Sequence, residues 1–276
     1  VNAYVTRLRS LLERISQDVV PSTPVVQQKP RVPTQAFSEF LINRELGDWA
    51  EEVVRRGVND SGLPVVALPY GRTGNLVAGE PGFADFFLDY HEELRTLGKR
   101  PDLLIFPAGK APAADWMGKP AAELVSVASQ AVAGFEVRCS QQSLTGTRTP
   151  ADLSFTPKIE DIRNVMRWIE RHGVPHFYVQ VIFGAAYALS FERILELLGV
   201  GPKAGGYTIA REPRNQFKAT VYVPLDKGVC LSTRFQDPDL AAFRKQLSSG
   251  RMLFGVKFSG GLLEFDKQKL SSLLKI

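Results

Sequence analysis

Two short apolar runs constrain this chain more than any other feature. Pro101-Asp102-Leu103-Leu104-Ile105-Phe106 and Phe135-Glu136-Val137-Arg138-Cys139 both have strand character, and each carries one acidic residue. Adjacent strands bring two such carboxylates to one point, where a divalent cation would hold them. A third run, His176–Phe183 (HFYVQVIF), is the strongest strand signal in the sequence. The segment Thr156–Gly173 lies before it, with Pro157 at the first helical position and Ile159, Ile162, Val165, Met166 and Ile169 on one face, which predicts an amphipathic helix. Strands alternating with helices define an α/β chain.

The remaining segments are read around this frame. Residues 2–16 predict an amphipathic helix, and residues 18–35, with four prolines, predict an extended arm. Phe37–Gly57 predicts a second helix with Phe37, Leu41, Trp49 and Val53 facing the core and Gly57 as its carboxyl-terminal cap. This helix is crowded with acids, and Glu51 is the one that could point toward the pair of carboxylates. Leu63–Pro69 reads as a strand, Gly71–Gly82 as turns, Phe83–Leu97 as a helix, Lys110–Gly118 as a loop, Lys119–Val132 as a helix and Phe191–Leu198 as a short helix. Later come strand-like runs at Tyr207–Ala210, Phe217–Val223, Val229–Thr233, Leu253–Phe258 and Leu262–Phe265, a helix near Pro238–Leu247 and a terminal helix. The expected organisation is an amino-terminal helix and arm over 1–35, a catalytic core over 36–200 and a carboxyl-terminal mixed segment over 201–276.

The chemistry follows from residue types. Two carboxylates and a backbone carbonyl can hold a hard divalent cation while leaving positions for water and phosphate. Asp102, Glu136 and the carbonyl of Val137 are that set. Arg138, two residues beyond Glu136, emerges on the same strand face. Its guanidinium stays charged and binds phosphate well but accepts no proton, so it can stabilise charge without serving as the base. Lys158, expected in the first turn of its helix, is a candidate helper, because a cation at the positive end of a helix dipole needs a nearby anion.

Charge and cysteine usage add bounds. Thirty-four Lys and Arg against 29 Asp and Glu give a net charge of +5, which suits a polyanionic partner. In the last third Arg211, Arg214, Lys218 and Arg234 are the cations expected to meet such a partner. Cys139 and Cys230 have no metal-ligand spacing, no run of 18 apolar residues occurs, and Val1–Gln17 lacks a signal peptide's apolar segment, so a bacterial cytoplasm is the expected compartment. His91, His172 and His176 show no ligand spacing, and no nucleophile elbow is present.

Five segments in order resemble the AccI group of type II restriction endonucleases, within the PD-(D/E)XK nuclease superfamily. They are Asn43–Glu51, Pro101-Asp102, Phe135–Ser140, Leu153–Asp161 and Pro175–Val181. The resemblance implies an αβββαβ core, a mixed sheet flanked by helices, followed here by a mixed α+β extension. It also implies Mg²⁺-dependent cleavage of double-stranded DNA by a homodimer at a short palindrome. Carried over residue by residue, it makes Asp102 and Glu136 metal ligands and Glu51 the helix carboxylate that steadies the site. Arg138 departs from the family's Glu-x-Lys pattern, and the missing lysine function is expected to be divided between Arg138 and Lys158.

Overall fold

The computed structural model describes residues 2–21, 31–71, 76–112, 124–144, 147–213 and 215–276. In chain order the helices are α1 (Ala3–Glu13), α2 (Ser38–Asn59), α3 (Phe83–Thr96), α4 (Val125–Ala128), α5 (Ile159–His172), α6 (Phe191–Gly199), α7 (Gly201–Gly205) and α8 (Lys267–Leu274). The strands are β1 (Val65–Pro69), β2 (Leu103–Pro107), β3 (Ala133–Ser143), β4 (Ser154–Phe155), β5 (His176–Phe183), β6 (Ala185–Ser190), β7 (Thr208–Glu212), β8 (Asn215–Pro224), β9 (Val229–Cys230), β10 (Ser232–Gln236), β11 (Asp239–Gln246), β12 (Met252–Ser259) and β13 (Leu262–Phe265).

Six strands form the central sheet in the order β1-β2-β3-β5-β6-β9. β3 and β5 are parallel, with α5 in the connection between them, and the other neighbours are antiparallel, so the sheet is mixed. Side chains alternate across the pleat and divide the core in two. Leu103, Ile105, Phe135, Val137, Phe177, Val179 and Val181 face a cluster with Leu46, Trp49, Ala50 and Val53 of α2. Leu104, Phe106, Tyr178 and Ile182 face the other, with Ile159, Ile162, Val165, Trp168 and Ile169 of α5. The segment after residue 200 enters both clusters, through Val221 and Val223 on the α5 side and Leu231, Leu263 and Phe265 on the α2 side. Among the described residues no helix is long and apolar enough to cross a membrane.

Several expectations change. Gly57 lies inside α2 rather than capping it: a Cβ there would stand 2.5 Å from the carbonyl oxygen of Leu263, so the glycine lets β13 approach the helix. Phe37 is the N-cap residue and 60% exposed, with the Arg251 guanidinium 5.0 Å above its ring, instead of facing the core. Helix α5 starts at Ile159, because Pro157 and Lys158 are extended alongside β8: Val221 donates its backbone N–H to the Pro157 carbonyl at 2.9 Å, and Lys158 bridges to Thr220. The expected helix near Pro238–Leu247 is strand β11, paired along its whole length with β12. Gly255 permits that hairpin, since a Cβ there would meet the Phe243 ring at 2.4 Å. The helix expected over Lys119–Val132 is reduced to α4 among the described residues, and positions 119–123 lie outside them. Strand β6, rich in alanine, had no expectation attached.

Candidate active site

The register of β2 on β3 pairs Leu103 with Phe135 and so brings Asp102, one residue ahead of its strand, level with Glu136. Asp102 is anchored from three sides. Its Oδ2 accepts the Val137 backbone N–H at 2.7 Å, and its carbonyl accepts the N–H groups of Tyr70 and Gly71 at 2.7 and 2.9 Å. Gly71 is required by that approach, since a Cβ would stand 3.2 Å from the Asp102 Cα.

Glu136 is only 1% exposed, yet it is ionised. Burial opposes its charge, but Arg138 and Lys99 outweigh that and hold the carboxyl below its ordinary range. Oε1 of Glu136 takes both cations, Lys99 Nζ at 2.8 Å and Arg138 Nη2 in a shorter contact. Lys99 Nζ also meets Asp161 Oδ2 of α5 at 2.6 Å. A chain of Asp161, Lys99, Glu136 and Arg138 therefore crosses the sheet face. Lys99 is nearly buried at 9% exposure, while 40% of the Arg138 side chain is open to solvent. Burial opposes the charge on Lys99, but Glu136 and Asp161 raise its proton affinity well above the ordinary lysine range; Arg138 is also shifted upward, first by Glu136. Neither group can act as a base.

Glu51 comes from α2. Its carboxyl is pushed upward by burial first, then by the charges of Asp102, Asp48 and Glu136, with Arg138 opposing. Asp102 moves upward as well, through burial and the neighbouring Glu136. Asp48 follows for the same leading reason, burial. Glu51 thus feels three other carboxylates, Asp102, Asp48 and Glu136, against the one cation Arg138, a negative imbalance that favours an additional positive charge.

That imbalance and one orphaned atom test whether a metal ion fits. Glu136 Oε2 is buried with no hydrogen-bond partner among the described residues, the state of an acceptor kept for another donor or a cation. Among the described residues no three His, Cys, Asp or Glu side chains close into a preformed metal cage. A hard divalent cation that keeps several waters and takes one or two carboxylates needs no such cage, so Asp102 and Glu136 fit it.

The structure joins Asp102, Glu136, Arg138 and Glu51, and leaves Lys158 apart. Lys158 is exposed at the N-cap position of α5 and donates to the Thr220 hydroxyl at 2.6 Å. The cation that reaches Glu136 is Lys99, which the sequence reading missed. Its only local signal is its place three residues before Asp102, in Gly98-Lys99-Arg100-Pro101-Asp102. Gly98, at φ +90°, turns the chain tightly against α5 and so delivers Lys99 beneath the sheet; a Cβ would meet the Asn164 carbonyl at 2.3 Å.

The expected DNA contacts are dispersed. Arg211 on β7 donates to the Asp18 carbonyl, Lys218 is exposed on β8, and Arg234 on β10 pairs with Glu264 at 3.2 Å on the surface. Arg214 lies outside the described residues.

Comparison with known proteins bears on this geometry. No curated protein matches the chain, and no solved structure does. A family model described as AccI restriction endonuclease matches residues 2–148 and 141–276, which together take in almost the whole sequence. The chain therefore belongs to the AccI restriction endonuclease family, and is a nuclease whose substrate is DNA.

Proposed function

We propose that this chain is a type II restriction endonuclease of the PD-(D/E)XK superfamily, hydrolysing phosphodiester bonds of double-stranded DNA with Mg²⁺. In this reading it works as a homodimer at a short palindromic site, one centre for each strand. The observation that carries the reading is the ionised, buried Glu136 level with Asp102 on adjoining antiparallel strands, with one oxygen unpartnered and the other held by two cations. α2, β1, β2, β3, α5 and β5 follow one another in that order, with α3, α4 and β4 inserted between them, which is compatible with the superfamily's core.

Hydrolysis adds the oxygen of water to phosphorus and breaks one phosphorus–oxygen ester bond. Asp102 and Glu136 would hold the Mg²⁺, which supplies Lewis-acid stabilisation of the phosphate charge when bound. Asp102, fixed by the Val137 N–H, presents its remaining oxygen in a set position. Arg138, half open to solvent, is placed to leave Glu136 for a phosphate oxygen as charge develops there. Lys99 does not follow it, because Asp161 holds it from behind, so Glu136 stays charge-compensated throughout. Glu51 holds its proton while the site carries only its own charges; a bound cation would return it to the ionised form, in which it is suited to accept the proton released by the attacking water.

The division of labour between the two cations revises the role first expected of Lys158. Lys99→Met should lower kcat on the order of a hundredfold, with Lys99→Arg recovering part of the loss, whereas a Lys99→Met enzyme with unchanged kcat would remove Lys99 from the site. The reading as a whole is tested by incubating phage DNA with the protein and Mg²⁺, beside an Asp102→Ala variant. Discrete fragments from the unaltered protein alone are expected; a smear would indicate a nuclease without site specificity, and no cleavage would end the proposal.

A further inference from the structure

A cleft of about 880 Å³ opens farther along β3 than Glu136, between the start of α2, the outer half of β3 and the β4–β8 pair. Three features distinguish it from ordinary surface. Its lining includes four carboxamides, Asn43, Gln141, Gln142 and Gln180, and among the described residues contains no lysine or arginine. The two acids at its wall are Glu39 and Asp152, the latter engaged by the backbone and hydroxyl of Thr149. A groove that tracked phosphates would be lined by cations.

The second feature is a break in the strand. β3 and β5 keep parallel register from Gly134 to Ser140, and the pairing then skips to Ser143 opposite Phe183. Gln141 and Gln142 are the residues left out of the ladder. Such bulges re-aim side chains, and these two are exposed. They stand three and four residues beyond Arg138 on the same strand, so they are rigidly tied to the proposed site of cleavage.

The third feature is an orphan. Gln180, paired in register with Arg138, is 3% exposed and lines the cleft, and its Oε1 has no partner among the described residues; its Nε2 donates to the Val181 carbonyl at 3.3 Å. A buried, unsatisfied acceptor costs folding free energy and implies a donor from elsewhere.

We propose that this cleft reads base edges of the duplex, with Gln141 and Gln142 as specificity-determining residues and Gln180 and Asn43 as the polar wall behind them. A carboxamide presents a donor and an acceptor side by side, the pattern that matches the N6 and N7 edge of adenine in the major groove. The acids match the amino group of cytosine. Gln141 and Gln142 lie five and six residues beyond Glu136 along β3, roughly 16–20 Å at about 3.3 Å per residue, so the bases they meet stand about five or six base-pair steps from the scissile phosphate. The inference rests on the endonuclease reading above and replaces the dispersed basic residues of the last third as the source of sequence discrimination.

The test uses short synthetic duplexes carrying the enzyme's own cleavage site and every single-base-pair change within it, with kcat/KM measured for each. Gln141→Ala and Gln142→Ala should each lower the ratio between the cognate duplex and its variants by about ten- to a hundredfold at one base pair or its symmetry mate. Discrimination elsewhere should stay, as should the salt dependence of binding, because no phosphate contact is removed. Gln142→Glu, which replaces the donor by an acceptor, should shift the preferred base at that position from adenine toward cytosine, which offers an amino group without a neighbouring N7 acceptor. The inference is overturned if discrimination at all positions is unchanged, or if cognate and variant duplexes lose activity by the same factor. An unaltered enzyme that gives no discrete fragments would instead defeat the endonuclease reading itself, before any glutamine is changed.

Discussion

The two faces of strands β3 and β5 differ sharply although the same residues alternate between them. Phe135, Val137, Phe177, Val179 and Val181 face α2, all apolar and all buried. Gly134, Glu136, Arg138, His176, Tyr178 and Gln180 face the other way, and there Glu136 Oε2, both ring nitrogens of His176, the Tyr178 hydroxyl and Gln180 Oε1 lack partners among the described residues. Burial holds His176 neutral, with its pKa lowered to about 4, and raises that of Tyr178. Native interiors leave few polar groups unpaired, so these atoms together set this face apart from the apolar one. The apolar face stabilises the sheet, and the polar face is where the proposed chemistry would take place.

Changes on each face should separate these roles. The largest effect is expected from Asp102→Asn, which keeps an acceptor for the Val137 N–H but removes the charge; cleavage should fall on the order of a thousandfold or more while the melting temperature stays near that of the parent. A matching fall in melting temperature would assign Asp102 to the fold. Next is Phe177→Ala on the α2 face, where a large buried ring is lost. Denaturant unfolding should show about 3–5 kcal/mol of destabilisation, with cleavage per folded molecule retained. Loss of cleavage without loss of stability there would blur the distinction between the faces.

A smaller effect concerns pH. Glu51 and Asp102 hold their protons more tightly folded than unfolded, so the native state binds more protons and stability should fall as pH rises above the ordinary carboxylate range toward and past neutrality. Glu136 acts in the opposite sense: its stabilising charge is present above the ordinary range and is lost only in acid, as pH falls through its lowered folded value. Thermal melts between pH 5 and pH 9 without divalent ions should therefore slope downward, and Glu51→Gln should flatten the slope. An upward slope would contradict the carboxylate crowding. Smallest of all is Lys158→Ala, whose amine meets the Thr220 hydroxyl; turnover should change by less than about threefold. A hundredfold loss would restore it to the site.

The legible parts of this molecule were those fixed by local pattern. The alternation in Phe135–Cys139 and His176–Phe183, and the stripe from Ile159 to Ile169, identified the central strands and the helix between them. Asp102 and Glu136 followed from the same alternation. What local pattern did not contain was tertiary in origin. Lys99 reaches Glu136 only because Gly98 turns against α5, and nothing near Lys99 in sequence announces that route. The stretch DLAAFRKQ has helix-favouring residues, but eight cross-strand pairs with β12 override them. Pro157 and Lys158 have the composition of a helix start, and pairing with β8 keeps them extended.

The central claim is that Glu136, buried and charged, stands ready for a divalent cation together with Asp102. Direct titration of the DNA-free protein with Mn²⁺, followed by the loss of the free ion's paramagnetic resonance signal, tests it without reference to cleavage. Saturable binding by the parent, lost or weakened at least tenfold in Glu136→Gln and in Asp102→Asn, is the predicted result. Equal binding by the parent and both variants would show that the polar face of β3 holds no metal and would contradict the account.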